Sequence, residues 1–135
     1  MNKQFFISLL FALLTFVILG GLFGNFVFLP EFATWHEAYP DAVRETPDFV
    51  SGFVLGLLQL IAFVVLLPKL QITSGSGAAM FGAVYSVLIW LIVDLQMVSV
   101  TNIVSYEYVL KDALLSAVMG AILGVVVSWS QRRFA

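Results

Sequence analysis

Cysteine is absent from the chain, and charged side chains are scarce. Without cysteine there is no disulfide framework, no thiolate metal site and no redox chemistry at sulfur. Charged residues make up 10% of the 135 residues and hydrophobic residues 61%, whereas soluble domains have about 25% and about 45–50%. A soluble chain of this length has too little interior to hide so much apolar surface. The composition therefore predicts an integral membrane protein that the lipid bilayer solvates.

The signatures of several functional classes are missing as well. The net charge is −2 and no basic run occurs, which excludes a typical nucleic-acid partner. The chain has one histidine, His36, so paired axial haem ligation is impossible, and a zinc site with Glu37 and Asp41 has weak support. No phosphate-binding glycine loop or nucleophile–base pair is recognisable. We expect no cofactor, no metal and no enzymatic activity.

Four apolar runs have the length that a membrane-spanning helix needs, which is about 20 residues. The run at residues 5–29 also fits a secretory signal peptide, but it exceeds a typical signal core of about 7–15 residues. We interpret it as the first span, and we expect Pro30 and Pro68 to end spans one and two. The fold prediction is an all-α integral membrane protein, an antiparallel bundle of four transmembrane helices at about residues 5–29, 49–67, 77–100 and 108–129.

The connection at residues 30–48 differs in composition from the spans. It carries five acidic residues and one basic residue, and it joins the first two spans of one domain covering residues 1–135. Phe32, Trp35 and Tyr39 follow helical spacing. This spacing indicates either a short amphipathic turn on the membrane surface or a solvated loop with interfacial aromatic residues.

Orientation is predicted from the cations. With four spans, both termini lie on one side, together with Lys3, Lys69, Arg132 and Arg133, whereas Arg44 and Lys111 lie on the other. The positive-inside rule then places both termini in the cytoplasm and makes the acidic connection extracytoplasmic.

Small residues four positions apart allow helices to pack closely in lipid, where hydrophobic burial gives no advantage. Every predicted span carries such residues. The predicted helix-packing positions are Gly20, Gly24, Gly52, Gly56, Gly82, Ser116, Gly120 and Gly124. The series in the fourth span favours either packing within the bundle or contact with a second copy or a partner protein.

A polar cluster is predicted where spans three and four meet their connecting turn. Asp94 lies roughly 9 Å below the extracytoplasmic end of its helix, and Asp112 lies roughly 6 Å below the same surface. Carboxyl groups at this depth suit a proton relay or an ion pathway. A purely structural alternative pairs Asp94 with Lys111, or hydrogen-bonds it to Thr101 and Asn102. Gln59 is expected to bond across a helix interface.

With its four spans and its closing segment at residues 119–124, the chain resembles small bacterial inner-membrane proteins. The resemblance implies a multi-pass protein of the inner membrane and carries no activity or site residues. Our first functional hypothesis is an accessory, assembly or scaffold subunit that binds a membrane-protein partner, or itself, through its glycine faces. The second is a small oligomeric transporter or channel, coupled to protons or cations through Asp94. In a membrane enzyme, the Asp94–Asp112 pair would be the candidate site.

Overall fold

The computed structural model describes residues 3–135, and every regular element in this range is a helix. The helices are α1 (Lys3–Phe23), α2 (Leu29–Ala38), α3 (Phe49–Lys69), α4 (Gly75–Val100) and α5 (Tyr106–Arg133), with a π-helical turn, Gly24–Phe28, between α1 and α2. The continuous helix Lys3–Ala38 and helices α3, α4 and α5 are each long and apolar enough to cross a membrane. The protein is a multi-pass membrane protein with a four-helix bundle, which confirms the predicted fold class.

The four spans are arranged so that each neighbour runs in the opposite direction. α5 packs against α4 and against α1, and α1 packs against α3. The ring of Phe63 on α3 closes the bundle by contacting the rings of Phe81 and Tyr85 on α4. We call the end with Lys3, the turn at residues 70–74 and Arg133 the terminal end, and the opposite end the loop end.

The expectation that Pro30 ends the first helix is wrong. The helix continues to Ala38, with Pro30 in the first turn of α2 and the π-helical turn just before it. Proline normally disrupts a helix because its ring clashes with the carbonyl four residues earlier and it lacks an N–H donor. The π turn shifts the hydrogen bonding, so that the Leu29 N–H donates to the Gly24 carbonyl. π-Helical turns of this kind let a helix bend without breaking.

Pro68 lies in the last turn of α3, which ends one residue later at Lys69, close to the predicted end of span two. Because proline has no N–H, the Val64 carbonyl one turn earlier loses its usual partner within the helix. The side-chain Nε2 of Gln131 on α5 donates to this carbonyl at 3.1 Å. Nε2 of Gln4 on α1 donates to the Gln131 carbonyl at 2.7 Å. The Val64 carbonyl that Pro68 leaves without a helical partner thus takes part in hydrogen bonds that link α3, α5 and α1 at the terminal end.

The glycines of α4 and α5 bring these two backbones into direct contact. A Cβ atom on Gly82 would collide with the Gly120 carbonyl, and one on Gly124 would collide with the Ala78 carbonyl. Ser116 and Ser86 are buried on the same two helices. The small-residue series of the fourth span therefore serves packing inside the bundle.

The other predicted packing glycines differ in their surroundings. A Cβ on Gly56 would lie 2.7 Å from the Phe16 ring of α1, and one on Gly20 would lie 3.9 Å from Met119 of α5. A Cβ on Gly24 or Gly52 would have no neighbouring atom within 4 Å among the described residues. Gly56 thus belongs to the α1–α3 interface, whereas no other described helix packs against Gly24 or Gly52.

Two apolar clusters hold the bundle at different depths. The larger cluster lies toward the terminal end, and its fully buried side chains include Leu60, Phe63, Leu67 and Val127. The smaller cluster lies at the loop end, where Trp35 of α2 meets the Tyr108 ring of α5 with ring centroids 4.7 Å apart. α2 is therefore bound to the α4–α5 hairpin, and the predicted alternative of a freely solvated loop does not apply to residues 29–38.

Asp48 begins α3 and provides a prediction about pH. Its carboxylate accepts hydrogen bonds from the backbone N–H groups of Val50 and Ser51 and from the Ser51 hydroxyl. The Ser51 hydroxyl, followed by these backbone groups, holds the pKa of Asp48 below its ordinary value of 3.8. Because the folded-state pKa is lowered, the cap is fully effective above pH about 4 and is lost as the pH falls through the folded-state pKa. We expect the first turn of α3 to fray on acidification, which amide hydrogen exchange corrected for intrinsic rates would measure.

The matched control for this prediction is Asp48→Asn. Asparagine caps a helix about as well as aspartate but does not titrate in this range. The variant should keep the first turn of α3 equally protected across the acid range. An unchanged acid-induced fraying in Asp48→Asn would assign the effect to another group.

Candidate functional site: a buried carboxyl pair

Two carboxyl groups face each other between α4 and α5. Asp94 lies six residues before the end of α4, and Asp112 lies six residues after the start of α5, so each is roughly 9 Å inside its helix. The relative exposures of Asp94 and Asp112 are 6% and 5%. Their carboxyl groups are within hydrogen-bonding range of each other. The antiparallel hairpin thus places two acidic groups at one depth in the apolar part of the bundle.

The hydrogen bonding of the pair is incomplete. The Ser116 hydroxyl donates to Oδ1 of Asp112 at 3.2 Å, from one turn further along α5. Oδ2 of Asp94 is buried and has no hydrogen-bond partner among the described residues. Carboxylate oxygens are acceptors only, so a hydrogen bond between the two carboxyls requires a proton on one of them.

Lys111 is not the counter-ion of Asp94. Its ammonium group pairs with Oε2 of Glu31 on α2, at 3.2 Å, and both side chains of this ion pair are partly exposed. The predicted pairing of Asp94 with Lys111 is therefore wrong. The physical reason is the continuation of the first helix through Pro30, which brings Glu31 over the start of α5.

Thr101 and Asn102 lie in the turn between α4 and α5, apart from the carboxyl pair. The Thr101 hydroxyl donates to the Met97 carbonyl at 2.8 Å and accepts from the Ile103 N–H. The carbonyl of Asn102, an exposed residue, accepts from the Tyr39 hydroxyl at 3.1 Å. These contacts shape the turn and fix the end of α2. The alternative in which Thr101 and Asn102 satisfy Asp94 is therefore also wrong.

The loop-end apolar cluster separates the carboxyl pair from the loop end. Tyr108 lies one helical turn from Asp112 on the same side of α5, and Val98 lies one turn from Asp94 on α4. Tyr108 is 6% exposed, and its ring contacts Trp35 and Phe28. In this conformation, apolar side chains cover the pair on its loop-end side.

A small cavity lies deeper in the bundle, on the other side of Ser116. It has a volume of about 30 Å³. Its lining residues with a hydroxyl or an amide are Thr15, Gln59, Ser86 and Ser116, one from each span, and the indole of Trp90 on α4 also lines it. Oε1 of Gln59 is buried and has no hydrogen-bond partner among the described residues. The predicted bond of Gln59 across a helix interface is therefore not made by this oxygen.

Several residues of the site are not indicated by the sequence pattern. The sequence pattern predicts a loop at Glu31. Proline is tolerated in the first turn of a helix, so Pro30 followed by the acidic Glu31 could also have indicated a helix start. The pattern predicts packing alone for Ser116, although the i+4 spacing from Asp112 is the spacing of a side-chain hydrogen bond along a helix. No sequence signal connects Ser86 or Thr15 with the cavity, because the direction in which each side chain points depends on how the four helices are rotated about their axes.

Comparisons of the chain with protein-family models, with curated proteins and with solved structures found no match. Within residues 3–135, no three histidine or acidic side chains are grouped so as to hold a metal ion. The groups present at the site and its neighbouring cavity are two buried carboxyls, hydroxyls and the Gln59 amide. Such a set binds and releases protons, or coordinates a small cation.

Proposed function

We propose that the protein is a small transporter or channel, active as an oligomer, whose ion binds at the Asp94–Asp112 pair. The ion is a proton or a small cation. The observation that carries this proposal is the unpartnered, buried Oδ2 of Asp94 beside a second buried carboxyl. Four helices alone give little room for an aqueous path, and apolar side chains such as Leu60, Phe63 and Val127 fill the core. The passage of the ion therefore requires a second copy or a change in helix packing.

Electrostatics support this proposal. Two ionised carboxylates side by side in a region of low dielectric constant repel each other, and burial further disfavours their charge. A proton shared by the pair, or a cation bound between them, removes that repulsion. Lys111, the neighbour of Asp112 in the sequence, is paired with Glu31. Binding an ion from outside the protein therefore lowers the electrostatic free energy of the pair.

A purely structural role for the pair has less support. The α4–α5 hairpin is already held by backbone contact at Gly82, Gly120 and Gly124. A buried carboxyl pair would add little to the stability of this hairpin, because replacing buried ionic groups by apolar groups often leaves the stability of the folded state unchanged or raises it. Ionisable groups inside membrane spans are rare and commonly mark ion pathways.

We place the protein in the inner, or cell, membrane with both termini in the cytoplasm. This placement is supported by the positive-inside rule, because Lys3, Lys69, Arg132 and Arg133 belong to the terminal end. The carboxyl pair then lies nearer the extracytoplasmic side, and its ion enters from that side when the loop-end apolar cluster opens.

An accessory or scaffold subunit is the second candidate function. Gly24 and Gly52 favour it, because the space beside both glycines is open and lets another helix approach. The glycines of α4 and α5 do not favour it, because they are occupied within the bundle. Both candidates predict contact with another membrane protein or another copy, and the role of Asp94 distinguishes them.

The decisive experiment measures ion flux in vesicles. The purified protein is reconstituted into liposomes, a potassium gradient with valinomycin imposes a membrane potential, and an internal pH dye reports proton entry. Sodium uptake is measured in parallel. We expect a flux that Asp94→Asn and Asp112→Asn each reduce to the level of protein-free vesicles, because asparagine keeps the shape of aspartate but carries no titrating group.

The control is Asp41→Asn, the same substitution at an exposed position in the connection between α2 and α3. It should leave the flux unchanged. Size-exclusion profiles must show that all variants remain folded. If wild-type protein carries neither ion, or if Asp94→Asn carries it as well as wild type, the transport proposal is wrong and the accessory role gains support.

A further inference from the structure

We propose that the transported ion is a proton, and that water in the 30 Å³ cavity carries it from Asp112 and Ser116 to Gln59. This inference rests on the proposed function and names its ion and the next residues on its route. Asp94, Asp112 and Ser116 form the first part of the route. The cavity with Gln59 and Ser86 forms the second part, in the middle of the membrane.

The size of the cavity fits water. A buried water needs at least about 10–15 Å³ of such space and two to four polar partners. The cavity offers about 30 Å³, enough for about two waters by this measure. Its polar side chains include Thr15, Ser86, Trp90 and Ser116 and the Gln59 amide, whose Oε1 has no partner among the described residues. The hydroxyls of Thr15 and Ser116 already donate elsewhere, so they can accept from a water. A water here satisfies a buried oxygen that the described residues leave without a partner.

The same dimensions argue against a metal cation. A cation that keeps part of its water shell needs more room than one or two waters occupy. A cation without its shell needs a ring of strong oxygen ligands in its place. The cavity offers hydroxyls and one amide, and its remaining walls include Phe16, Leu60 and Leu123. A proton needs only a chain of hydrogen-bonded groups.

The proton transfer along this route is balanced at each step. The Ser116 hydroxyl donates to Oδ1 of Asp112 in the structure, so it must first turn toward the cavity water. The O–H bond of a protonated Asp112 then breaks as the Ser116 oxygen accepts that proton, the Ser116 hydroxyl gives its own hydrogen to the cavity water, and Asp112 is left as a carboxylate. The charge then rests on a water whose hydrogens donate to Gln59 Oε1 and to Ser86. Beyond the cavity, Leu60, Phe63 and Val127 fill the core toward the terminal end. Until these side chains move, the proton returns through Ser116 to the Asp112 carboxylate, which is the stronger acceptor.

The groups that face this route are few. α4 contributes Asp94, and α5 contributes Asp112 and Tyr108. The Tyr85 hydroxyl of α4 donates to the backbone carbonyl of Gln59 at 2.9 Å, which holds this part of α3 against α4. The Glu31–Lys111 ion pair lies nearer the loop end.

The test uses two variants of the second part of the route. Gln59→Leu removes the acceptor and fills the cavity, and Ser116→Ala removes the hydroxyl link with little change in volume. We expect both to lower proton flux in the liposome assay to near background. Infrared difference spectra on acidification should still show the protonated-carboxyl band in both, and should lose the band of hydrogen-bonded internal water in Gln59→Leu. The controls are Gln96→Leu and Ser99→Ala, the same changes at exposed positions of α4.

The outcomes separate this inference from the proposed function. If Asp94→Asn stops proton flux but Gln59→Leu and Ser116→Ala do not, the carboxyl pair remains the ion site and the water route is wrong. If sodium uptake depends on Asp94 and proton flux does not, the ion is a cation and this inference fails while transport stands. If Asp94→Asn has no effect on any flux, both proposals fail.

Discussion

Replacing Gly120 by leucine should separate α4 from α5 and cause a larger loss of stability than any other substitution proposed for this protein. Even a single Cβ on Gly120 would collide with the Gly82 carbonyl. This carbonyl belongs to a helix backbone, so it cannot move aside as the end of a flexible side chain could. Overpacking a core by small groups costs about 1–3 kcal/mol, and a leucine against a backbone should cost about 3 kcal/mol or more. Thermal unfolding in mild detergent, followed by circular dichroism and size exclusion, would measure this loss.

Gly52→Leu is the matched control, because no atom lies within 4 Å of a Cβ at this position. Its free energy of unfolding should change by less than about 0.5 kcal/mol, as for most exposed positions. In the accessory hypothesis, the same variant should lose a co-purifying membrane partner while the bundle stays folded. A Gly120→Leu protein that melts like wild type would mean that the α4 and α5 backbones are not in direct contact.

Phe63→Ala should produce the second large effect. The Phe63 ring is fully buried, 5.5 Å from the Phe81 ring and 5.2 Å from the Tyr85 ring between centroids. Lipid chains cannot enter this position, so the substitution leaves a cavity whose lining loses its dispersion contacts. We expect a loss of about 2–4 kcal/mol, somewhat less than in a water-soluble core, because transfer between lipid and protein gains little.

Phe53→Ala on the same helix is the control for Phe63→Ala. The Phe53 side chain is 48% exposed, and lipid replaces its contacts in the variant. Its unfolding temperature should remain close to that of wild type, and Phe63→Leu should recover much of the stability lost in Phe63→Ala. Equal losses in Phe53→Ala and Phe63→Ala would show that the position of the ring in the bundle does not matter.

The sequence predicted the features that depend on composition and on neighbours along the chain. The four spans and their antiparallel order follow from apolar length, and the meeting of Asp94 with Asp112 follows because two consecutive helices share a short turn. The four-residue spacing of small residues likewise predicts helix contacts at Gly82 and Gly120. These features need no knowledge of how distant segments pack.

Two of the wrong expectations, the end of the first helix at Pro30 and the pairing of Lys111 with Asp94, have one physical source, which is the path of the first helix. A π-helical turn is a small local change in hydrogen bonding, and no residue pattern in the sequence specifies it. Once the helix passes Pro30, Glu31 reaches Lys111 and Trp35 reaches Tyr108, across about eighty positions of sequence. The cavity depends in the same way on helix rotation, which amphipathic patterns poorly define when every face is apolar.

The close backbone contact between α4 and α5 also has a consequence for biogenesis. α4 and α5 are consecutive in the chain and are joined by a short turn, so they can enter the bilayer together as a hairpin. α1 packs on α5, and α3 packs on α1, so α1 and α3 remain in lipid without this contact until α5 has been synthesised. Truncation near the carboxyl terminus would therefore leave the early helices without their docking surface, although they would still be inserted.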